Sequence, residues 1–276
     1  MSDEHKIAKS AGEIVKSFYD KHGWQNREGG WSGEDILFRT FPEAHVKYAK
    51  NADARTAACF DDRNGILLLA GCGDVPEFHL NLAQRFNRIF CMDISPVALG
   101  IARSKLGDTA EYFEESITKT SLADDSVDAV YCAHVIYHIA EELQERAVNE
   151  LIRVTKRGGR LVVVYVNSKS PFGWPRSVKQ VIERIRLRQM HVVETQDSVP
   201  KLYNYVRPLG WWRRFSPQCH LSFLPSEVIG SRAARALLRT QGMASLFFAV
   251  AQWIENRFPR PASWMWQYSI IVLDKI

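Results

Sequence analysis

The chain has few features of proteins held together by disulfides or metal ions. Its 276 residues include five cysteines, at positions 59, 72, 91, 132 and 219, and none of them forms a CxxC pair. An odd number of unpaired cysteines is typical of a reducing compartment, and no cysteine–histidine cluster has zinc-site spacing. We therefore expect reduced thiols, no metal and a cytoplasmic location.

Long hydrophobic runs are also missing. The N-terminus has no basic patch followed by an apolar core, so we expect no secretory signal. The apolar stretch Ala244–Ile254, bounded by Arg239 and Glu255, is too short to cross a bilayer. A helix packed on the core is the favoured interpretation. An interfacial helix that contacts a membrane surface stays open as an alternative.

The chain is mildly basic, and its charge is unevenly distributed along the sequence. The net charge is +5, and the positive excess is concentrated between Lys169 and Arg214, where few acidic residues oppose it. Such a run indicates either a solvated helix face or a surface for an anionic partner, such as a carboxylate, a phosphate or a nucleic-acid backbone.

Two short apolar runs frame a glycine turn. Ile66–Ala70 is a predicted buried strand that leads directly into Gly71 and Gly73, and a second run, Ile89–Met92, ends in Asp93. A strand, a glycine turn, a helix and a second strand ending in an acid are typical of a βαβ unit that binds a nucleoside.

The third glycine of the dinucleotide fingerprint is absent. Val75 and Pro76 stand where that pattern would continue, so no glycine cradle for a pyrophosphate is formed. This absence argues against NAD and FAD and favours a nucleoside ligand without phosphates.

Further motifs follow in a fixed order. They are Glu111–Phe113, the acidic segment Ala123–Asp128, the strand Ala129–Cys132 capped by Ala133–His138, and Lys156–Arg160 before the strand Leu161–Tyr165. Together with the glycine turn and Asp93, they resemble class I S-adenosylmethionine-dependent methyltransferases over residues 60–167, with a last strand at Tyr268–Leu273.

This resemblance implies an α/β fold with a Rossmann-like, doubly wound, seven-stranded sheet, mostly parallel with one antiparallel edge strand. The expected organisation is an N-terminal helical extension (1–60), a cofactor-binding core (61–167), a basic aromatic lid between strands five and six (168–225), and a C-terminal helical region with the last strand (226–276). Helices are predicted over 4–22, over about 42–60, and within Pro225–Phe258, where Ser226 is a candidate cap.

The implied cofactor is S-adenosylmethionine, with S-adenosylhomocysteine as product. The residues expected to bind it are Ala70, Gly71, Cys72, Gly73, Asp93, Ile94, Ser116, Ile117, Ala133 and His134. Two positions depart from the family pattern. Leu69 stands where an acid usually supports the methionine amino group, and Ser116 where an acid often contacts the adenine amino group.

Candidate catalytic residues are His138, His134 and Tyr19. The histidines follow the fourth strand, close to the transferred methyl group in this fold, and histidine is the natural base near neutral pH. His134 is also a candidate for lining the cofactor. Aromatic faces attract cations, so Tyr19, with Phe18 and Trp24, is a candidate to pack over the sulfonium.

The predicted function is methyl transfer to an oxygen or nitrogen of a small, anionic metabolite. Alternatives are an RNA methyltransferase, which the basic and aromatic segment Arg207–Phe215 favours, and a non-catalytic S-adenosylmethionine-binding protein, which Leu69 and Ser116 favour. A small-molecule substrate is the expected partner, nucleic acid is not, and peripheral membrane contact stays open. The acceptor atom and oligomeric state do not follow from the residues.

Overall fold

The computed structural model describes residues 12–20, 42–173, 202–230, 234, 237–238 and 240–276. The predictions for Trp24 and for most of the basic run lie outside these residues.

Seven strands form one sheet in the order β3-β2-β1-β4-β5-β7-β6. The strands are β1 (Ile66–Ala70), β2 (Arg88–Asp93), β3 (Ala110–Glu114), β4 (Val127–Ala133), β5 (Thr155–Val166), β6 (Cys219–Pro225) and β7 (Tyr268–Lys275). β1 to β5 pair in parallel. The chain order reverses between β1 and β4, and ligands of such sheets bind at the carboxyl ends of the strands beside this switch point.

The described helices cover both faces of the sheet. They are α1 (12–18, continued by a π turn at 19–20), α2 (Pro42–Ala58), α3 (Glu77–Ala83), α4 (Pro96–Leu106), α5 (Gln144–Val154), α6 (Gln241–Arg257) and α7 (Pro259–Met265). Val148 and Leu151 of α5 pack on one face of the sheet, and Leu82 of α3 with Leu99 of α4 packs on the other. The central strands are therefore buried on both sides, which explains their continuous apolar runs.

The predicted fold class is confirmed, with one difference in detail. The antiparallel strand is β7, and it lies one position in from the edge because it pairs with both β5 and β6. β6 takes the edge of the sheet. It was not predicted, since it lies at the end of the segment 168–225 that was assigned to a lid.

The aromatic segment before β6 belongs to the core rather than to the surface. Trp211, Trp212 and Phe215 are 9%, 0% and 1% exposed, and they pack in the same cluster as α5. Their faces are therefore not presented for stacking on nucleic-acid bases, which removes the feature that favoured an RNA substrate.

The C-terminal helical region differs from the prediction at its start. Ser226 follows β6 instead of capping a helix, and α6 begins later, where the Thr240 side chain accepts a hydrogen bond from the Met243 amide at 3.3 Å. α6 buries Ala244 and Phe248 in a cluster with Trp266. Its opposite face exposes apolar side chains, namely Met243, Leu246, Val250 and Trp253. Among the described helices, none has the length and apolar character needed to span a membrane.

Candidate active site

The glycine turn after β1 has the geometry that the sequence predicts. Gly71 and Gly73 have φ angles of +69° and +56°, a region that favours glycine. A Cβ atom on Gly71 would lie 2.3 Å from Val135 Cγ2, so a larger residue has no room there. The Gly71 and Cys72 amides donate to the Met92 carbonyl at 2.8 and 3.0 Å, which ties the turn to β2.

Asp93 lies at the carboxyl end of β2, directly against this turn. Its Oδ2 accepts from the Gly73 amide at 3.0 Å, and its Oδ1 accepts from the Ser95 amide at 2.9 Å. Burial raises the pKa of the Asp93 carboxyl, and these amide hydrogen bonds lower it in part. The carboxylate is thus held at the carboxyl end of β2, the position predicted for a ribose contact.

The other residues predicted to contact a cofactor lie along the same edge of the sheet. Ile94 follows β2, and Ser116 and Ile117 follow β3. Ser116 is exposed and its Oγ lies 2.9 Å from the Thr118 hydroxyl, whereas the Ile117 side chain is buried in the core. The Ile117 side chain therefore packs in the core, and its backbone stays the predicted contact to a ligand.

The end of β4 places a histidine beside the glycine turn. His134 follows Ala133 with φ +61°, and its amide donates to the Val164 carbonyl at 3.0 Å. Its Nδ1 lies 3.0 Å from the Tyr137 hydroxyl. The His134 side chain is exposed to solvent, although other side chains pack around it. Desolvation lowers the pKa of His134 to about 4, so the imidazole is neutral.

His138 is held in one tautomer. Its Nδ1 lies 2.8 Å from the Tyr203 carbonyl oxygen, and because a carbonyl only accepts, Nδ1 carries the proton in this contact. In the neutral ring, Nε2 then keeps its lone pair. Burial lowers the pKa of His138, and the bond to Tyr203 opposes that shift in part.

α1 crosses the carboxyl ends of three strands. Lys16 Nζ forms an ion pair with Glu114 Oε1 at 3.0 Å at the end of β3, and the Ser95 hydroxyl after β2 donates to Asp20. The rings of Tyr19 and His138 lie 6.2 Å apart in an edge-to-face arrangement. The N-terminal helix therefore lies over the predicted cofactor residues and brings Tyr19 to His138.

Sequence reasoning missed a group of acidic and hydroxyl side chains next to this site. Burial raises the pKa of Tyr131 on β4, and the charges of Asp53 on α2 and Glu227 after β6 raise it further. Nothing in the local sequence marks Asp53 or Glu227, because each is an ordinary charged residue in its own segment. Their shared effect on Tyr131 depends on how α2 meets the segment after β6, to which Arg55 is bonded.

The cysteines and the possible metal ligands can also be located in the structure. All five cysteines are buried and free. In the ranges that the structure describes, no group of three histidine, cysteine, aspartate or glutamate side chains is arranged to hold a metal ion.

Comparison with known proteins identifies a methyltransferase domain within the chain. Residues 68–163 match the methyltransferase domain family, and this range includes the glycine turn, Asp93 and the β4 end. Residues 68–163 are a methyltransferase domain of the class I type. The resemblance predicted from the motifs is therefore confirmed, and the sheet order is that of this fold.

Relatives of the methyltransferase domain are distant. A methyltransferase-like protein of Schizosaccharomyces pombe is 28% identical over 125 residues, which cover 45% of this chain and 47% of that protein. A protein of Methanocaldococcus jannaschii is 30% identical over 161 residues, covering 56% of this chain and 62% of that protein. The matched part thus spans about half to three fifths of these relatives.

Solved structures match over nearly the whole chain. The complex of DhpI with S-adenosylhomocysteine has a TM-score of 0.58 at 12% identity, covering 97% of this chain and 98% of that one. Magnesium protoporphyrin IX methyltransferase from Synechocystis, with bound S-adenosylhomocysteine, has a TM-score of 0.55 at 13% identity and full coverage of both chains. At these identities the likeness establishes the fold alone.

Proposed function

We propose that this protein transfers a methyl group from S-adenosylmethionine to an oxygen or nitrogen atom of a small molecule. The observation that carries the proposal is the joint geometry of the glycine turn and Asp93. The turn packs closely on the end of β4, where a Cβ on Gly71 would collide with Val135, and it lies against a carboxylate at the end of β2. These features fit a nucleoside with free ribose hydroxyls.

The residues that would hold the cofactor follow the carboxyl edge of the sheet. Asp93 would bind the ribose, Ile94, Ser116 and Ile117 would surround the adenine, and the segment Ala70–Gly73 with Ala133 and His134 would line the methionine end. When bound, S-adenosylmethionine supplies an electrophilic methyl group on a positively charged sulfur. The protein has to orient an acceptor in line with that bond and, for some acceptors, remove a proton.

His138 is the candidate base. The Nδ1–H donated to Tyr203 fixes the ring, so the Nε2 lone pair is free to take a proton from a hydroxyl or an ammonium. Because burial lowers its pKa, His138 is neutral near pH 7 and is ready to accept. His134 has a still lower pKa, about 4, which suits a neutral contact to cofactor or acceptor better than a proton acceptor.

Tyr19 is the candidate cover of the methyl-transfer position. It lies on α1 with its ring beside His138. An aromatic ring at this place excludes water and favours a cationic sulfur through its π face. Asp20 and Lys16 anchor the same helix to the ends of β2 and β3.

Cofactor binding is the first test. Calorimetric titration with S-adenosylmethionine and S-adenosylhomocysteine should give micromolar affinity for the wild type and a loss of roughly 10- to 100-fold for Asp93→Ala, since a charge-assisted pair of hydrogen bonds is removed. Asp108→Ala, an exposed acid at the end of α4, is the matched control. A folded wild type that binds neither compound would contradict the proposal and favour a role without methyl transfer.

The role of His138 is tested by His138→Asn. The Asn side-chain amide places its NH2 near the position of Nδ1 and preserves the bond to Tyr203, but it has no equivalent of Nε2. With tritiated S-adenosylmethionine and a library of hydroxyl and amine acceptors, we expect transfer to fall by about 100-fold while S-adenosylhomocysteine affinity changes by less than about threefold. Equal loss of binding and transfer would make His138 a structural residue.

A further inference from the structure

The glycine turn after β1 continues into a strained residue, Val75. Its φ angle is +51°, in the left-handed region, and its side chain is 0% exposed. A β-branched residue is a genuine outlier in that region, and the ring of Pro76 restricts the backbone of the residue before it. Such conformations persist only where the surrounding structure holds them, and they are concentrated at ligand sites. Contacts around Val75 must therefore hold its backbone in this shape.

Lys105, in the last turn of α4, bonds the backbone of the strained segment. Its Nζ donates to the Asp74 carbonyl at 2.5 Å and to the Val75 carbonyl at 3.2 Å, and it lies 3.5 Å from Asp74 Oδ2. An ammonium has three donors, which match these three acceptors. Lys105 therefore fixes the direction of two consecutive carbonyls.

Other contacts hold the remaining parts of Val75. Its amide donates to the Cys72 carbonyl at 3.2 Å. Its side chain packs in the same buried cluster as Leu82 of α3 and Leu99 of α4. These contacts fix the amide and the side chain, whereas the bonds from Lys105 fix the carbonyls. All three act on a conformation that valine alone disfavours.

The bonds from Lys105 complete the attachment of the turn to one segment of the chain. The start of the turn is bonded to the Met92 carbonyl, and the Gly73 amide donates to Asp93 Oδ2 at 3.0 Å. Both partners lie at the end of β2, and Lys105 lies on α4, which follows β2 directly. If the last bonds are removed, Val75 can relax towards negative φ. That movement would carry the Gly73 amide away from Asp93, the predicted ribose contact.

The ordinary role of a lysine at this place in a helix does not account for these bonds. A cation in the last turn commonly interacts with the free carbonyls of its own helix. Lys105 instead reaches Asp74 and Val75, which lie 31 and 30 positions earlier in the chain. The Lys105 and Asp74 side chains are 34% and 24% exposed, and ion pairs so accessible to water stabilise a fold little. The bonds are therefore better explained by the shape of the turn than by stability.

We propose that Lys105 is a positioning residue that holds the strained backbone at Asp74 and Val75 in the shape that the cofactor requires. Lys105 acts through the turn and touches neither the cofactor nor an acceptor. The proposal rests on the proposed function, because it assigns the turn to S-adenosylmethionine. It adds a residue that the motifs do not mark, since a lysine late in α4 has no place in the glycine or acid pattern.

The first measurement is S-adenosylhomocysteine affinity by calorimetry on the wild type, Lys105→Met, Val75→Gly and the double variant. Methionine keeps most of the lysine stem and removes the ammonium, so affinity should fall by about tenfold. Glycine adopts φ +51° without strain. In the Val75→Gly background, Lys105→Met should therefore change affinity by less than about threefold. An equal loss in both backgrounds would overturn the proposal, because Lys105 would then not act through the strain.

Matched variants separate positioning from a general effect on the fold. Lys105→Arg keeps the charge and the donors, so its affinity should stay within about threefold of wild type. Lys50→Met, at an exposed lysine on α2, is the control for loss of a surface charge. In thermal unfolding, Lys105→Met should lower Tm by no more than about 2 °C, because its bonds are partly exposed.

Hydrogen exchange supplies a second measurement that needs neither a ligand nor the Val75 variants. In the ligand-free protein, we expect Lys105→Met to speed amide exchange in a peptide spanning residues 71–80 by about tenfold. Exchange in β1 (Ile66–Ala70) should stay unchanged. This comparison keeps the proposal testable if Val75→Gly, which removes a buried side chain, does not fold.

The outcomes separate the two proposals. Wild type that binds no S-adenosylhomocysteine refutes the proposed function, and the exchange rates then decide whether Lys105 holds the turn. Wild type that binds it, with unchanged affinity and exchange in Lys105→Met, overturns the role of Lys105 alone. A loss of affinity with a large fall in Tm and faster exchange in β1 also overturns it, because Lys105 would then support the whole fold.

Discussion

Glu227→Gln should stabilise the ligand-free protein above neutral pH and leave it unchanged in acid. The folded-state pKa of Glu227, about 7, is raised above its ordinary value of 4.5 by burial, with Asp53 as the next cause. Between these two values the native state holds a proton that the unfolded chain has released. The free energy of unfolding therefore falls as pH rises from about 4.5 through 7, and stays lowered above 7.

The size of this effect follows from the separation of the two pKa values. Each unit is worth about 1.4 kcal/mol, so the full separation corresponds to roughly 3 kcal/mol. Part of the Glu227 side chain remains accessible to water, and the resulting screening reduces our expectation to about 2 kcal/mol. For a chain of 276 residues this is a rise in Tm of roughly 3 °C at pH 8.

The assay is thermal unfolding of the ligand-free wild type, Glu227→Gln and Glu142→Gln at pH 5 and pH 8. At pH 5 wild-type Glu227 is protonated in the folded state, so we expect the Glu227→Gln and wild-type Tm values to agree within about 1 °C. Glu142 is exposed, and its substitution should have little effect at either pH. A Tm shift for Glu227→Gln of equal size at both pH values, or a lower Tm at pH 8, would refute the reasoning.

Two other substitutions test residues that shape or support the site. Gly71→Ala should weaken S-adenosylhomocysteine binding by about tenfold or more, because φ +69° strains alanine by about 1–2 kcal/mol and its Cβ meets Val135. Adding Val135→Ala should restore part of the affinity measured by calorimetry. If the affinity does not recover, the whole loss comes from the strained backbone at position 71. Glu255→Ala should cost about 3–5 kcal/mol in thermal unfolding, since it leaves Arg55 and the Tyr48 hydroxyl without their buried partner. An unchanged Tm would mean that water replaces the carboxylate.

The sequence predicts the strands that are buried on both faces much better than the edge strand. Ile66–Ala70 was predicted to the residue, because a parallel strand between two helical layers is a continuous apolar run. β6 alternates instead, with His220 and Ser222 exposed on an edge strand, and it follows directly after an aromatic segment. That pattern resembles a surface loop until the partner strand β7 is known.

The same contrast applies to the candidate site. The glycine turn and Asp93 come from one βαβ unit, so their spacing in the sequence is enough to predict that they meet. Asp53 and Glu227 come from a helix before the first strand and a turn after the sixth. The electrostatic effect of Asp53 on Glu227 depends on how α2 crosses beside the segment after β6, which Arg55 fixes through two backbone carbonyls. Local patterns carry no information about such a crossing.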